Sequence, residues 1–257
     1  MTPPELPDYV ARNRAYWSIR GRDQESWGRS RWTTVEILWG LFGVPEDDIR
    51  VLPGLYETDV IELGCGTAYF SAWMARRGAR AVGVDISPDQ LERASAFQRE
   101  FELEFPLIEA NAEEVPLSDD SFDLVLSEYG ASTWCDPRKW VPEATRLLRP
   151  GGRLVFLRSS TLSVLCSDDR GRVQEQLERP QLGLYRIDWA EKEGEGSEFQ
   201  FSHEDWIDVL RESGLEVVRL VELYAPPGAS TSRYWSGVSV EWAARWPAEE
   251  IWVARKP

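Results

Sequence analysis

From Asp59 onward, short aliphatic runs alternate with amphipathic stretches of helix length. DVIEL (59–63) predicts a buried strand, and FSAWMARRG (70–78) predicts a helix stopped at Gly78, a good residue for a left-handed cap. ARAVGVD (79–85) predicts the next strand. Ser87-Pro88 then opens a helix, with serine as N-cap and proline in the first turn. FPLIEAN (105–111) and FDLVLSEYG (122–130) predict two more strands, and Pro137–Leu148 a helix closed by Arg149-Pro150-Gly151-Gly152. RLVFLRS (153–159) is a fifth strand. SHEDWIDVLRESG (202–214) is a helix capped by Ser202, followed by strands at LEVVRLVELYA (215–225) and EIWVARK (250–256) that can pair antiparallel. Strands alternating with helices imply βαβ units, and hence a doubly wound α/β fold with a mostly parallel sheet.

Two stretches stand outside this alternation. Residues 1–50 read as a helical segment rich in aromatics (Tyr16, Trp17, Trp27, Trp32, Trp39), and residues 162–201 as a long irregular insertion. Ligands of open α/β sheets sit beyond the carboxyl ends of the strands, so both stretches are placed to roof that crevice. The expected division is an N-terminal lid segment, 1–50, and a main domain, 51–257, with a lid insertion at about 162–201. At about 150 residues per domain, 257 residues suit one large domain with such an appendage. The acidic stretch Glu191–Glu198 reads as a solvated loop tip.

Composition narrows the chemistry. With 29 basic against 44 acidic residues, the net charge of −15 speaks against nucleic acid and anionic lipid as partners unless a local basic patch exists. One histidine and three scattered cysteines make no Cys/His zinc cluster, and no metal site is expected. The first residues lack the charge pattern of a targeting peptide, and no apolar run is long enough for a membrane span. Together with the irregular cysteine spacing, these features lead us to expect a soluble cytoplasmic protein without a membrane partner.

The sharpest motif is Glu62-Leu63-Gly64-Cys65-Gly66-Thr67-Ala68, at a strand end entering a helix. Its glycines allow a tight turn and close ligand approach. The next strand ends in Asp85, nineteen positions after Gly66, where a carboxylate can accept both hydrogen bonds of a ribose diol. A dinucleotide fingerprint would need glycine at position 69, which is Tyr69; GxxxxGK[ST] is absent. The anionic Glu62 beside the loop suits a cationic nucleoside better than a pyrophosphate.

VIELGCGTAYFSAWMA, VGVDIS, NAEEVPLSDDSFDLVLS and LLRPGGRLVFL, in this order, resemble the class I S-adenosylmethionine-dependent methyltransferases over about residues 59–160. The N-terminal stretch is similar to that of bacterial small-molecule methyltransferases. The resemblance implies a Rossmann-like, seven-stranded, mostly parallel sheet with one antiparallel strand, and S-adenosyl-L-methionine as cofactor with S-adenosyl-L-homocysteine as product. It also implies roles by position. Glu62 matches the acid near the methionine ammonium, and Gly64, Cys65 and Gly66 form the loop along the methionine and ribose. Asp85 matches the ribose ligand and Ile86 packs on adenine. Asn111 and Ala112 meet the adenine edge, and Ser127 and Glu128 lie beside the methionine portion. The third glycine of the family's ExGxGxG is Ala68 here.

Methyl transfer from a sulfonium needs mainly an in-line nucleophile, and an oxygen nucleophile also gains from a general base. His203 is the only histidine. It starts the helix after the fifth strand and is a candidate base, set against the simpler reading of a first-turn residue without a role. Tyr129 is a candidate substrate contact or packing residue; Trp17, Trp39 and Trp134 are candidates for an aromatic pocket or for ordinary core. Cys65 reads as a packing residue, since Glu62 and Asp85 would not stabilise a thiolate. The leading expectation is transfer to a small organic acceptor, by an acceptor atom the sequence leaves open. The alternatives are a cofactor-binding scaffold without transfer activity and an RNA or protein methyltransferase, the last opposed by the acidity and by the lack of a basic recognition element.

Overall fold

A computed structural model describes residues 6–23, 25–188, 196–230 and 237–257. The N-terminal segment forms α1 (Asp8–Asp23), α2 (Glu25–Thr33), an antiparallel pair β1 (Leu38–Trp39) and β2 (Val44–Pro45), and the short α3 (Glu46–Ile49). The alternating region runs β3 (Asp59–Leu63), α4 (Tyr69–Ala75), β4 (Arg80–Asp85), α5 (Pro88–Glu100), β5 (Leu107–Glu109) and β6 (Phe122–Glu128). It continues through α6 (Ala131–Trp134), α7 (Pro137–Leu147) and β7 (Leu148–Ser159). Then come α8 (Thr161–Leu165), the antiparallel pair β8 (Arg186–Asp188) and β9 (Ser197–Phe199), α9 (His203–Glu212), β10 (Glu216–Leu223), α10 (Val240–Ala243) and β11 (Glu249–Arg255).

The main sheet has seven strands in the order β10-β11-β7-β6-β3-β4-β5, and β11 runs antiparallel to both of its neighbours. The other pairings are parallel, so this is a Rossmann-like doubly wound sheet. Local signals account for the helix starts. The Ser87 side chain accepts from the Gln90 N–H with Pro88 behind it, and Ser202 and Asp205 form a reciprocal capping box. The strand expected from Arg153 begins at Leu148 instead. A register break between Phe122 and Leu124 of β6 lets the Arg149–Gly152 turn ride within the longer strand β7. Among the described residues no helix is long and apolar enough to cross a membrane.

Strand parity sorts the core into two layers. Val60, Leu124, Leu126, Val155, Leu157, Ile251 and Val253 face a layer that contains Trp32, Trp39, Phe70 and Trp73. Ile61, Val125, Phe156 and Trp252 face the other, with Trp140 and Trp206. Six tryptophans (Trp32, Trp39, Trp73, Trp140, Trp206 and Trp252) are fully buried here, which absorbs much of the aromatic excess. The N-terminal segment is divided in its packing. Trp32 of α2 stacks on Phe101 and Phe105 and donates through Nε1 to the Thr67 carbonyl at 2.8 Å, so α2 is part of the core. In the insertion, β9 lies against α1 and α6. The loop tip expected at Glu191–Glu198 falls outside the described residues for 191–195.

Candidate functional site

The chain leaves β3 toward β4 and β5, then returns on the other side of β3 as β6, so the loops after β3 and β6 diverge. This is the switch point at which open α/β sheets bind ligands. The two loops cross backbone to backbone at Gly64 and Gly130. Beyond them opens a cleft of about 1110 Å³, counting its open mouth.

One end is built by the ends of β3, β4 and β5. Gly64 and Gly66 both have positive φ (+75° and +52°), and a Cβ on Gly66 would meet no atom within 4 Å. The bare face of that residue therefore opens into free space. The Asp85 carboxylate ties the neighbouring loops together: Oδ2 accepts from the Gly66 N–H and Oδ1 from the Ser87 N–H, each at 2.8 Å. Burial raises its pKa, while these N–H groups oppose the shift. With Ile86 a third backbone donor, the carboxylate keeps a lone pair for a ligand hydroxyl. Ile86, Asn111 and Ala112 continue the wall. Asn111 Oδ1 already accepts from the Glu113 N–H at 3.1 Å, which leaves it one acceptor site. Gln90 also lines the cleft, and its buried Oε1 has no partner among the described residues.

The other end is built by the end of β6 and by the N-terminal segment. Glu128 accepts a short hydrogen bond from the Tyr69 hydroxyl and another from the Gly40 N–H. Just behind it, Glu249 accepts from the Tyr129 hydroxyl at 2.7 Å and from the Leu41 N–H at 2.9 and 3.0 Å. The turn between β1 and β2 thus caps the half-buried Glu128 and the buried Glu249, each paired with a tyrosine. Gly40 has to be glycine, because a Cβ there would fall 2.2 Å from Glu249 Oε1. Burial pushes Glu249 up to about 8 and also raises Glu128, with Tyr69 and the Arg31 guanidinium opposing the rise at Glu128. Arg31 sits behind Trp27, 4.9 Å from that ring, and donates to the Gly40 carbonyl at 3.0 Å.

The remaining wall comes from α1 and α6. Val10, Asn13, Trp17 and Trp134 line it, and Trp17 meets Trp134 edge-on at 5.2 Å. Asn13 locks this wall: Nδ2 donates to the carbonyls of Trp134 (2.8 Å) and Ser197 (2.9 Å), and Oδ1 accepts from the Ser197 N–H (2.7 Å). Insertion residue Ser197 therefore buttresses the cleft from outside.

Of the residues singled out in the sequence, the cleft brings together Gly64, Cys65, Gly66, Asp85, Ile86, Asn111, Ala112, Glu128, Tyr129, Trp17 and Trp134. Cys65 is buried, and burial followed by the charge of Asp85 pushes its thiol well above the usual range. Four others lie elsewhere. Glu62 is 2% exposed and turns toward α4, where it accepts from the Ser71 N–H and hydroxyl at 2.8 and 2.5 Å; burial raises it to about 8. Ser127 points to the opposite layer and donates to the Leu63 carbonyl at 2.9 Å. Trp39 is fully buried against Phe70, with Nε1 on Glu46. His203 is on the far side of the sheet, its Nε2 2.8 Å from Glu250. The reason is parity along β11: Glu249 faces the cleft layer, so Glu250 and the histidine it holds face the other. Sequence reasoning placed Trp27 only in the aromatic segment roofing the crevice, and missed Tyr69, Gln90, Gly130 and the Gly40-Leu41 turn. Tyr69 serves there only to exclude a dinucleotide motif, and the rest carry no local signature.

Residues 61–156 match a family profile described as a methyltransferase domain. A demethylmenaquinone methyltransferase of Clavibacter sepedonicus is 38% identical over 106 residues, which are 40% of this chain and 41% of that protein. A malonyl-[acyl-carrier protein] O-methyltransferase of Hahella chejuensis is 37% identical over 103 residues, 38% of this chain and 35% of that protein. The match spans less than half the length of these relatives. In fold, the chain is similar to an S-adenosylmethionine-dependent methyltransferase of Mesorhizobium loti (TM-score 0.64, 22% identity, 80% of this chain and 94% of that one). With the strand order, the glycine loop and the acid at the end of β4, these matches make residues 61–156 similar to a methyltransferase domain and the fold similar to that of an S-adenosylmethionine-dependent methyltransferase.

Proposed function

We propose that the protein is a methyltransferase that uses S-adenosyl-L-methionine to methylate a small organic molecule in the cytoplasm. The observation that carries this reading is the Asp85–Gly66 pair: a carboxylate with a spare lone pair, held beside a loop whose Cβ-free face is open. In this reading Asp85 takes a ribose hydroxyl, and Gly64, Cys65 and Gly66 run along the methionine. Ile86, Asn111 and Ala112 receive the adenine. The Gln90 Oε1, unpartnered among the described residues and facing the same end, suits a donor on the nucleoside. When bound, the cofactor supplies an electrophilic methyl group on a sulfonium. The chain's own part is to align an acceptor with it and exclude water.

The size of the acceptor follows from the walls. The cleft is closed on one side by α1 and its Asn13 lock, and its lining contains no basic side chain among the described residues. Both features favour a small molecule over RNA or a protein segment. A cofactor-binding scaffold would share the nucleoside end, but would need no carboxylate–tyrosine pair at the other. The test is calorimetry with S-adenosylhomocysteine on the purified protein and on Asp85→Asn. Binding to the first, weakened more than about tenfold in the second, is expected; no binding to the wild type overturns the reading.

A further inference from the structure

Among the described residues two carboxylates face the cleft, Asp85 and Glu128, and only Asp85 is taken up by the nucleoside end. Glu128 stands at the opposite end beside Tyr129, Gly40, Leu41, Tyr69 and Trp27. The rings of Trp27 and Tyr69 meet at 5.1 Å and 89°, forming an aromatic corner next to the carboxylate. We propose that this end recognises the acceptor as a small amine on an apolar or aromatic body, with its ammonium on Glu128 and its body against Trp27 and Tyr69. The inference rests on the reading of the Asp85 end as the S-adenosylmethionine site.

Three features support it. No lysine, arginine or histidine lines the cleft among the described residues, so an anionic acceptor would find no partner there. The groups around Glu128 hold it without neutralising it at the cleft surface. Tyr69 from α4 and the Gly40 N–H from the β1–β2 turn donate to it, while Arg31 from α2 lies behind Trp27 and does not line the cavity. Glu249 from β11 is screened behind Tyr129 and Leu41. An aromatic corner closed by an acid is also a favourable cation site, since ring faces carry negative quadrupole.

The chemistry balances without a further reagent. The ammonium gives one proton to the Glu128 carboxylate, and the freed nitrogen lone pair forms the bond to the methyl carbon. The carbon–sulfur bond breaks with its pair on sulfur, leaving a methylated ammonium and a neutral thioether. Glu128 is then a catalytic residue that touches the acceptor; Tyr69 is a positioning residue that fixes the carboxylate.

The test uses three probes of similar shape, phenethylamine, 3-phenylpropanol and 3-phenylpropanoate, titrated into protein saturated with S-adenosylhomocysteine. The amine is expected to bind about tenfold or more tighter than the alcohol, with the acid weakest. Glu128→Gln should abolish that preference while keeping S-adenosylhomocysteine affinity within about twofold, which also shows the variant is folded. Tyr69→Phe should reduce the preference in part. An equal or reversed order of probes, or no amine binding up to about 10 mM, overturns the inference. So does a Glu128→Gln variant that loses S-adenosylhomocysteine, because the acid then serves the cofactor's own ammonium. Failure of the wild type to bind S-adenosylhomocysteine would instead be failure of the underlying reading.

Discussion

Gly64 and Gly130 meet where the loops after β3 and β6 cross. A Cβ on Gly64 would lie 2.6 Å from the Gly130 Cα, and one on Gly130 would lie 2.4 Å from the Gly64 carbonyl oxygen. Both obstacles are backbone, so neither loop can yield without moving a strand end. Gly66, two residues on, has positive φ but open space around a Cβ. The two glycines of one motif therefore do different jobs. Gly64→Ala should destabilise the protein by about 2–4 kcal/mol, combining left-handed strain with overpacking. Gly66→Ala should cost only about 1–2 kcal/mol of strain but weaken S-adenosylhomocysteine binding, because its methyl would stand in the open face. Urea denaturation and calorimetry separate the two effects. Equal stability losses would sink the distinction.

Glu249 and Glu62 each make a contribution to stability that acid favours. Both are buried, and both are pushed by burial from an ordinary 4.5 to about 8. The folded state therefore takes up protons that the unfolded chain has lost between those values. Their contribution to stability is largest near and below the unfolded value and is lost as pH rises toward 8. Glu249→Gln removes one of these groups while keeping an acceptor for Tyr129 and Leu41. Its denaturation midpoint should decline less steeply over the same window. A variant with the wild-type slope would show that Glu249 is ionised throughout.

These cases show what the sequence made legible. Asp85, the glycine loop and the strand order could be read because each depends on neighbours within one βαβ unit. The Glu128 end of the cleft could not, because it joins positions far apart in the chain. Glu249 begins a strand near the end of the chain, Gly40 lies in a turn near the start, and Glu128 ends β6. The misplacement of His203 has a related origin. Its place after the fifth strand was read correctly, but the face it occupies depends on the register of β11 against β7, where Glu250 opposes Arg158. One residue of register would have exchanged Glu249 and Glu250 between the two layers.

His203 contributes to stability with a pH dependence opposite in origin to chemistry at the cleft. Its bond to Glu250 is the largest cause raising its pKa above the ordinary 6.5, outweighing partial burial. A histidine raised in the folded state stabilises fully below its unfolded value, and that contribution is lost as pH rises through the folded value. His203→Ala should therefore cost stability at about pH 6 and progressively less above the histidine range. The imidazole is partly solvent-exposed, so the loss should be modest. S-adenosylhomocysteine binding should not change. A pH-independent loss would mean that the ring acts only by packing on Trp252.

Asn13 clamps the α1 wall of the cleft. This buried side chain joins α1 to the Trp134 carbonyl of α6 and to both backbone groups of Ser197 in β9. Elsewhere α1 is held by Tyr9 and Val10, which pack on Phe199, and by surface pairs such as Arg14–Glu109 and Asp8–Arg186, which contribute little in water. Tyr9 adds a half-buried bond to Glu113. Asn13→Ala would leave the Ser197 N–H and two carbonyls without their partner, a loss of about 2 kcal/mol or more. Because the lost bonds lie at the α1 contact, the penalty should appear as local opening rather than only as global unfolding. Amide exchange in residues 8–23 should accelerate in the variant while α7 keeps its protection. Saturating S-adenosylhomocysteine should restore part of the protection, since Val10 and Trp17 line the same cavity. Unchanged exchange in α1 would show that the remaining contacts suffice to hold the wall closed.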